Sequence, residues 1–269
     1  MAIKFLKLRR SKPYQYLKDK FLYGRAYIQY KLNPYPEEVG ENPIFIFNHI
    51  PKCGGTSLNI VLRKWFHLVK DYPPHEFEFN SKEGFEIALS EFEKNVPNYS
   101  KIRPFEIIAG HFFNGRFNLS KRFPEVFRSS RVYLITFIRE PLHQRISLFK
   151  YGKKRSHTYV QGFTLSDYIF KEMNFIAQIL ECDENNYKER VDSYFFVGLM
   201  EEYNRSLVQL SKKMNRKMIL DIPHVNSSNS KTEISTLSED EITKFKNYNK
   251  LDYQIYNYVR SKFDDGFYI

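Results

Sequence analysis

The sequence contains few residues of the kinds that build zinc sites, disulfide frameworks or membrane spans. It has two cysteines, Cys53 and Cys182, and neither belongs to a CxxC pair, which argues against a zinc ribbon, a dithiol redox site and a disulfide scaffold. No apolar run approaches the roughly 18 residues of a membrane span. The first residues, "MAIKFLKLRRSK", carry charges where a signal peptide needs an apolar stretch. The expected compartment is therefore the cytoplasm.

Aromatic and basic residues, in contrast, are abundant. Hydrophobic residues make up 42% of the chain and aromatic residues 17%, a composition that excludes a disordered protein. The length of 269 residues suits one full-sized core or two small ones. We therefore expect one compact domain with an accessory N-terminus.

The positive charge is concentrated at the N-terminus. Residues 1–31 hold nine Lys or Arg against one acid, Asp19, which gives +8 of the formal +11. The two prolines of "NPYPEE", 33–38, mark a boundary, so we divide the chain into a basic leader, 1–40, and a domain, 41–269. The leader could contact a membrane surface, a polyanion or a partner, although a solvated helix face is the simpler interpretation. No nucleic-acid motif accompanies it, and no nucleic-acid partner is expected.

From residue 43 onward, strand-like apolar segments alternate with helical patterns. The predicted strands are 43–50, 104–113, 131–141 and 194–202. The predicted helices run from Thr56 or Ser57 to about Val69, and over 83–95, 142–154, 165–181, 203–215 and 238–263, the last with Ser238 and Glu241 in capping-box spacing. This alternation predicts an α/β, three-layer, P-loop-like fold with a mainly parallel central sheet flanked by helices.

The segment "NHIPKCGGTSL", 48–58, has the composition of an anion-binding loop between a strand and a helix. Gly54 and Gly55 lack a Cβ, so their N–H groups can turn toward an oxyanion. Thr56 and Ser57 add hydroxyl donors where the helix dipole favours negative charge, and Lys52 adds a mobile cation. The alternative is an ordinary glycine-rich turn with a capping Thr.

Other phosphate-binding or nucleophilic motifs do not match this segment. GxxxxGK[ST] and GxGxxG are absent from the sequence. A cysteine phosphatase would need Arg six positions after Cys53, and that residue is Asn59. We therefore expect the Cys53 side chain to be a small packing group.

A second candidate anion contact follows the 131–141 strand, in "FIREPLHQRISLF". Arg139 stands at the carboxyl end of that strand, where α/β sheets bind ligands. Ser147 lies about two turns into the next helix, so the two residues together could hold a second phosphate. In the alternative, Arg139 pairs with an acid and Ser147 is a surface hydroxyl.

The two segments together resemble the donor-binding motifs of sulfotransferases, in the branch typified by heparan sulfate 2-O-sulfotransferase and bacterial carbohydrate sulfotransferases. "HIPKCGGTSL" is similar to their 5′-phosphosulfate loop, and "IREPLHQRISLF" to their 3′-phosphate motif. "AGHF", 109–112, is similar to the segment that carries the catalytic base. The resemblance spans roughly 44–260, in the family's order. It departs at Cys53-Gly54, where Thr or Ser followed by Ala or Gly is commoner.

The resemblance implies a donor, 3′-phosphoadenosine 5′-phosphosulfate (PAPS), and a product, adenosine 3′,5′-bisphosphate (PAP). The residues implied for the 5′-phosphosulfate are Lys52, Cys53, Gly54, Gly55, Thr56 and Ser57, with Arg139 and Ser147 for the 3′-phosphate. Lys52 would also neutralise the departing oxygen, and His111 would take the acceptor proton. No metal is implied.

Several assignments stay open at the level of sequence. His49 rivals His111 as the base, although its place before the loop suggests that it orients the loop, and His75 and His224 are weaker candidates. Glu140 suits a structural acid, and Arg145 a brace for the helix or the loop. A polar loop, 224–231, could fold over the nucleotide through Ser227, Asn229 or Lys231. The implied acceptor is a carbohydrate hydroxyl; an ATP-using phosphotransferase and a non-catalytic nucleotide- or polyanion-binding module are the alternatives.

Overall fold

A five-stranded parallel sheet forms the centre of the protein. The computed structural model describes residues 12–98, 101–113, 115–217, 234 and 236–264. The strands, in the spatial order β2-β3-β1-β4-β5, pair in parallel throughout. They are β1 (Ile44–Asn48), β2 (His67–Asp71), β3 (Glu106–Gly110), β4 (Val132–Ile138) and β5 (Phe196–Leu199). The predicted α/β class, with a parallel central sheet flanked by helices, is confirmed.

Helices precede and connect these strands. They are α1 (Lys12–Leu32), α2 (Gly55–Trp65), α3 (Lys82–Lys94), α4 (Leu119–Arg122), α5 (Pro141–Lys154), α6 (Leu165–Ile169), α7 (Phe175–Leu180), α8 (Tyr187–Asp192), α9 (Tyr203–Lys213), α10 (Glu239–Tyr248) and α11 (Lys250–Asp264). Short 3₁₀ turns lie at Glu76–Glu78 and Thr158–Val160. No helix over these residues combines the length and apolarity needed to cross a bilayer.

The central strands are buried on both faces. Every residue of β1 and β3 is buried, as are the last five residues of β4. Phe45, Phe47 and Phe137 are among the largest fully buried side chains. A parallel strand covered on both faces needs such a continuous apolar run. Ligands can therefore reach these strands only at their ends.

Helix α1 lies within the basic leader and packs on the domain. Ala26 is buried, and the Tyr23 ring meets the Phe105 ring edge-on, with centroids 4.9 Å apart. Arg25 donates a hydrogen bond to the carbonyl of Arg63 in α2. One side of this helix is thus fixed to the body of the protein.

Three predicted element boundaries are wrong. The helix expected to reach Val69 ends at Trp65, since Phe66 is extended (φ −130°, ψ 158°) and β2 follows. The 165–181 helix is divided by Asn174, whose φ is 49°. The closing helix is divided at Asn249 (φ −112°, ψ 33°) into α10 and α11. The capping box of Ser238 and Glu241 is present as predicted.

Candidate functional site

The loops after β1 and β4 lie side by side at the carboxyl edge of the sheet. β1 pairs with β4, with Phe47 opposite Ile135. The chain leaves β1 toward β2 on one side of the sheet and leaves β4 toward β5 on the other. Such a reversal opens a crevice between the two strand ends, where ligands of α/β proteins bind. The two candidate anion motifs therefore form two walls of one crevice.

The backbone between β1 and α2 has the shape of an anion nest. Lys52 (φ 66°) and Gly54 (φ 80°) are left-handed, on either side of Cys53. The N–H of Leu58 makes the first helical bond, 3.0 Å from the carbonyl oxygen of Gly54. The N–H groups of the four residues before Leu58 open the helix and have no carbonyl one turn earlier to accept them. Donors at a helix N-terminus favour a bound anion.

Side chains at the two loop glycines would not fit. A Cβ on Gly54 would stand 2.6 Å from Met200 Sδ and 3.2 Å from the Tyr203 ring. A Cβ on Gly55 would stand 1.8 Å from His49 Nε2. The loop is thus packed against Met200, which follows β5, against Tyr203 of α9 and against His49.

Two cations stand at the crevice. Burial, together with the neighbouring Arg139 guanidinium, lowers the pKa of Lys52. The Lys52 ammonium lies 4.4 Å from the centroid of the Tyr151 ring, on α5. No carboxylate among the described residues lies within ion-pair distance of Arg139. The described residues therefore do not support the alternative in which Arg139 pairs with an acid.

The other loop residues face different environments. Cys53 is 1% exposed, burial raises the pKa of its thiol, and its N–H donates to the Ile50 carbonyl at 3.3 Å. It is a packing residue within the turn. Thr56 is exposed, whereas Ser57 is buried beside the Tyr203 phenol. Thr56 is therefore the loop hydroxyl that an outside anion can reach.

Helix α5 carries two of the residues considered from sequence, Arg145 and Ser147. Ser147 is 4% exposed, two turns into the helix as predicted. Arg145 is fully buried and pairs with Glu172, with a nitrogen-oxygen distance of 2.8 Å, so of its two predicted roles it braces the helix and not the loop. The loop is instead held by Gln144, whose Nε2 donates to the Pro51 carbonyl oxygen at 2.9 Å. No sequence signal distinguished Gln144 from its neighbours.

Glu140 has a structural role, as predicted. Its carboxylate accepts the N–H of His143 at 2.7 Å, which caps α5. The other carboxylate oxygen accepts the Tyr253 hydroxyl at 2.6 Å. Both oxygens are therefore engaged in holding the start of α5, directly after Arg139.

His111 stands at the end of β3 with a defined tautomer. Its Nδ1 lies 2.7 Å from the backbone carbonyl oxygen of His49, so Nδ1 carries the hydrogen and donates it. Burial lowers the pKa of His111 to about 4. The ring is therefore neutral at physiological pH, and its Nε2 is a proton acceptor.

The His49 ring lies between Tyr72 and the loop. Asn59 Nδ2 donates to the Tyr72 hydroxyl oxygen at 2.9 Å, and that hydroxyl lies 3.2 Å from His49 Nδ1. The Nε2 edge of the His49 ring packs against Gly55. Burial and the neighbouring His111 and Lys52 lower the pKa of His49, which keeps the ring neutral.

The two imidazole rings lie beside each other and next to the anion loop. The centroids of the His49 and His111 rings are 4.3 Å apart. The N–H groups that open α2 are donors, whereas His111 Nε2 offers a lone pair. An oxyanion at the loop and a hydroxyl at His111 could therefore be held together, with a base for the hydroxyl proton.

The sequence pointed to the loop, Arg139 and His111 as candidates, but not to the residues that support them. Tyr72 and Asn59 were not considered, although Tyr72 directly follows the overlooked β2. Residues 224–231, with Ser227, Asn229 and Lys231, lie outside the described residues. Within the described ranges, no group of three or more His, Cys, Asp or Glu is arranged to hold a metal ion.

Comparisons with known proteins give structural matches only. No family model and no curated protein matches the sequence. A sulfotransferase from Alicyclobacillus acidocaldarius superimposes with a TM-score of 0.40 and 12% identity, over 80% of this chain and 97% of that chain. The mouse sulfotransferase SULT7A1, complexed with PAP, superimposes with a TM-score of 0.43 and 12% identity, over 86% and 94% of the two chains.

Proposed function

We propose that the protein transfers a sulfuryl group from PAPS to an acceptor hydroxyl, on a carbohydrate. The observation that carries the proposal is the crevice between β1 and β4. The crevice contains the anion nest of the loop, the Lys52 ammonium and the Arg139 guanidinium. Arg139 has no carboxylate partner among the described residues. The neutral His111 imidazole, a proton acceptor, lies beside the crevice. A donor with two separate anionic groups matches two basic walls, and a hydroxyl acceptor matches His111.

The donor would lie along the crevice. The N–H groups of Gly54, Gly55 and Thr56, with the ammonium of Lys52, would hold the 5′-phosphosulfate. Arg139 and the α5 residue Ser147 would hold the 3′-phosphate, whose presence distinguishes this donor from ATP. Cys53 adds no donor, because its thiol is buried and its N–H already donates to the Ile50 carbonyl. The Ser57 hydroxyl is engaged with the Tyr203 phenol, so only the Ser57 N–H is proposed to contact the donor.

The reaction would be an in-line displacement at sulfur. The acceptor oxygen forms a bond to sulfur while the bond from sulfur to the bridging phosphate oxygen breaks. The hydroxyl proton passes to His111 Nε2, and the electron pair stays on the phosphate oxygen of the departing PAP. Lys52 would neutralise the charge that develops there.

A sugar acceptor is supported by the rings around the base. The Tyr72 and Phe113 rings lie with their centroids 4.9 Å and 5.9 Å from that of His111. Both side chains are partly exposed, and an aromatic face can pack against the apolar face of a sugar. A panel of glycans, tyrosine peptides and simple alcohols, assayed with radiolabelled PAPS, tests the acceptor class. Labelling of peptides alone would contradict the carbohydrate proposal.

Calorimetry with PAP and ATP tests the donor. We expect micromolar binding of PAP and no binding of ATP, with a loss of PAP affinity in Arg139→Ala. Lys153→Ala, at the C-terminal end of α5, is the matched charge control. Equal affinity for PAP and ATP would favour a phosphotransferase, and an unchanged affinity of the Arg139 variant would remove that residue from the site.

A His111→Gln variant separates an enzyme from a binding module. It should keep the affinity for PAP and lose transfer, because Gln can occupy the site without accepting a proton. Transfer at the wild-type rate would show that His111 is not the base. Absence of transfer by the wild-type protein to every hydroxyl tested, with PAP still bound, would favour the non-catalytic module.

A further inference from the structure

The outward side of α1 carries a stripe of exposed apolar side chains. Leu17, Phe21, Ile28 and Leu32 are 65%, 68%, 55% and 71% exposed. Their spacings of four and seven residues place them on one face of a helix. This face is opposite Ala26, which is buried against the domain. The helix is therefore apolar on both its packed side and its solvent side.

Lysines border this stripe on both sides. At about 100° per residue, Lys18 falls on one flank and Lys20 and Lys31 on the other. All three are exposed. The helix has a single acid, Asp19, which pairs with His67 of β2 at 3.1 Å. Its negative charge is thus directed to the body of the protein, and the outward side is uniformly positive.

The charge pattern selects what can cover the stripe. A second copy of the chain would bring the same lysines together, which opposes association through this face. A bilayer with anionic headgroups instead supplies both an apolar layer and opposite charge. Exposed aliphatic and aromatic side chains bordered by lysines are the features of helices that lie in such an interface.

We propose that α1 binds the surface of an anionic membrane, with Leu17, Phe21, Ile28 and Leu32 inserted at the boundary between headgroups and acyl chains. The flanking lysines contact the lipid phosphates. The helix lies in the plane of the membrane and does not cross it. This proposal is independent of the donor chemistry, since the residues involved are outside the crevice.

Vesicle flotation of the full-length chain tests this proposal. We expect binding to vesicles of phosphatidylcholine mixed with phosphatidylserine, little binding to phosphatidylcholine alone, and weaker binding as salt is raised. The double variant Leu17→Ser/Phe21→Ser should bind at least tenfold more weakly. The matched control is Ile87→Ser on α3, which removes an apolar side chain of 55% exposure from another surface.

A charge variant completes the test. Replacing Lys18, Lys20 and Lys31 by Gln should weaken binding by on the order of 100-fold, at about fivefold per lysine. The control, in which Lys82, Lys94 and Lys246 become Gln, has the same net charge and should bind like the wild type. Urea unfolding, measured in parallel, confirms that each variant is folded.

Three outcomes would overturn the proposal. Equal binding to neutral and anionic vesicles would exclude the role of charge. Lost binding in the lysine variant with full binding in the Leu17→Ser/Phe21→Ser variant would show that the face attracts polyanions by charge alone. A dimer in sedimentation velocity that the Leu17→Ser/Phe21→Ser variant abolishes would show that a second copy covers the stripe.

Discussion

The buried neutral His111 should make the stability of the protein depend on pH. Its folded pKa of about 4 lies below the ordinary value of 6.5, so between these values the unfolded chain binds a proton that the folded chain does not. Stability is therefore present above about pH 6.5 and is lost as the pH falls. From these two pKa values, the loss that His111 alone causes between pH 7 and pH 5 is about 2 kcal/mol.

The assay is urea unfolding of the wild type and His111→Gln at both pH values. Other groups titrate in the same window, including Asp252, whose pKa burial raises to about 6. The difference between the two proteins cancels their contributions. We expect the variant to lose about 2 kcal/mol less than the wild type on going from pH 7 to pH 5.

His67 provides a control of opposite sign. Hydrogen bonds to Glu106 and Asp19 raise its pKa, so the stability that it contributes is fully present below its unfolded pKa and is lost as the pH rises through the folded pKa. His67→Gln should therefore lower stability more at pH 5 than at pH 7. An identical pH dependence of the wild type and His111→Gln would refute the account of His111 as a buried neutral imidazole.

Three further predictions concern the loop and the core. Gly55→Ala should destabilise the protein by about 1–3 kcal/mol in urea unfolding and weaken PAP binding, because the new Cβ overlaps an imidazole ring; Gly24→Ala, with no atom within 4 Å, should do neither. Arg122→Met should lower the free energy of unfolding by about 3–5 kcal/mol, because its partner Asp71, at the end of β2, is 3% exposed and would keep an unpaired charge. Recovery of that stability in the double variant Arg122→Met/Asp71→Leu would confirm this reason. Gln144→Leu should lower stability by about 1–3 kcal/mol by leaving the Pro51 carbonyl without its donor, and unchanged PAP affinity in that variant would show that the bond does not position the loop.

Much of the fold could be predicted because its strongest strands are short apolar runs that end at Gly, Pro or charged residues. β1, β3 and β4 are of this kind, and each was placed within a few residues. β2 was not predicted, because "LNIVLRKWFHLV" continues a helical spacing of apolar residues into it. β2 is an edge strand in which four of five residues are only partly buried or exposed, so its sequence lacks the continuous apolar run of the inner strands.

The breaks in the later helices depend on contacts that are distant in sequence. The Asn249 side chain accepts the N–H of Asn174 at 2.8 Å, and the Asn174 side chain accepts the N–H of Asp252 at 3.3 Å. Each Asn thus caps a backbone group of the other segment. Local helix propensity predicts continuous helices in both places. It cannot show the breaks, because the Asn side chains that stabilise them and their backbone partners are about 75 residues apart in sequence.

In the candidate site, the residues that line the crevice could be singled out from the sequence, whereas the residues that support them could not. Glycines, Lys52 and Arg139 carry a chemical signal in sequence, because an anion loop needs those residue types. Tyr72 and Gln144 act only through their position, which the overlooked β2 and the packing of α5 determine. Arg145 had two predicted roles, bracing the helix or the loop, and the sequence could not decide between them because its partner Glu172 lies 27 residues away.

The peptide groups of His49 align the proposed base with the anion loop. Its N–H donates to the Gly110 carbonyl at 2.9 Å, and its carbonyl accepts from His111 Nδ1 at 2.7 Å. The same residue continues directly into the loop. The separation between the loop and the His111 imidazole is therefore set by the main-chain register of the neighbouring strands β1 and β3. Substitutions at the proposed acceptor site, such as at Tyr72 or Phe113, could then change which acceptor is selected without changing that separation.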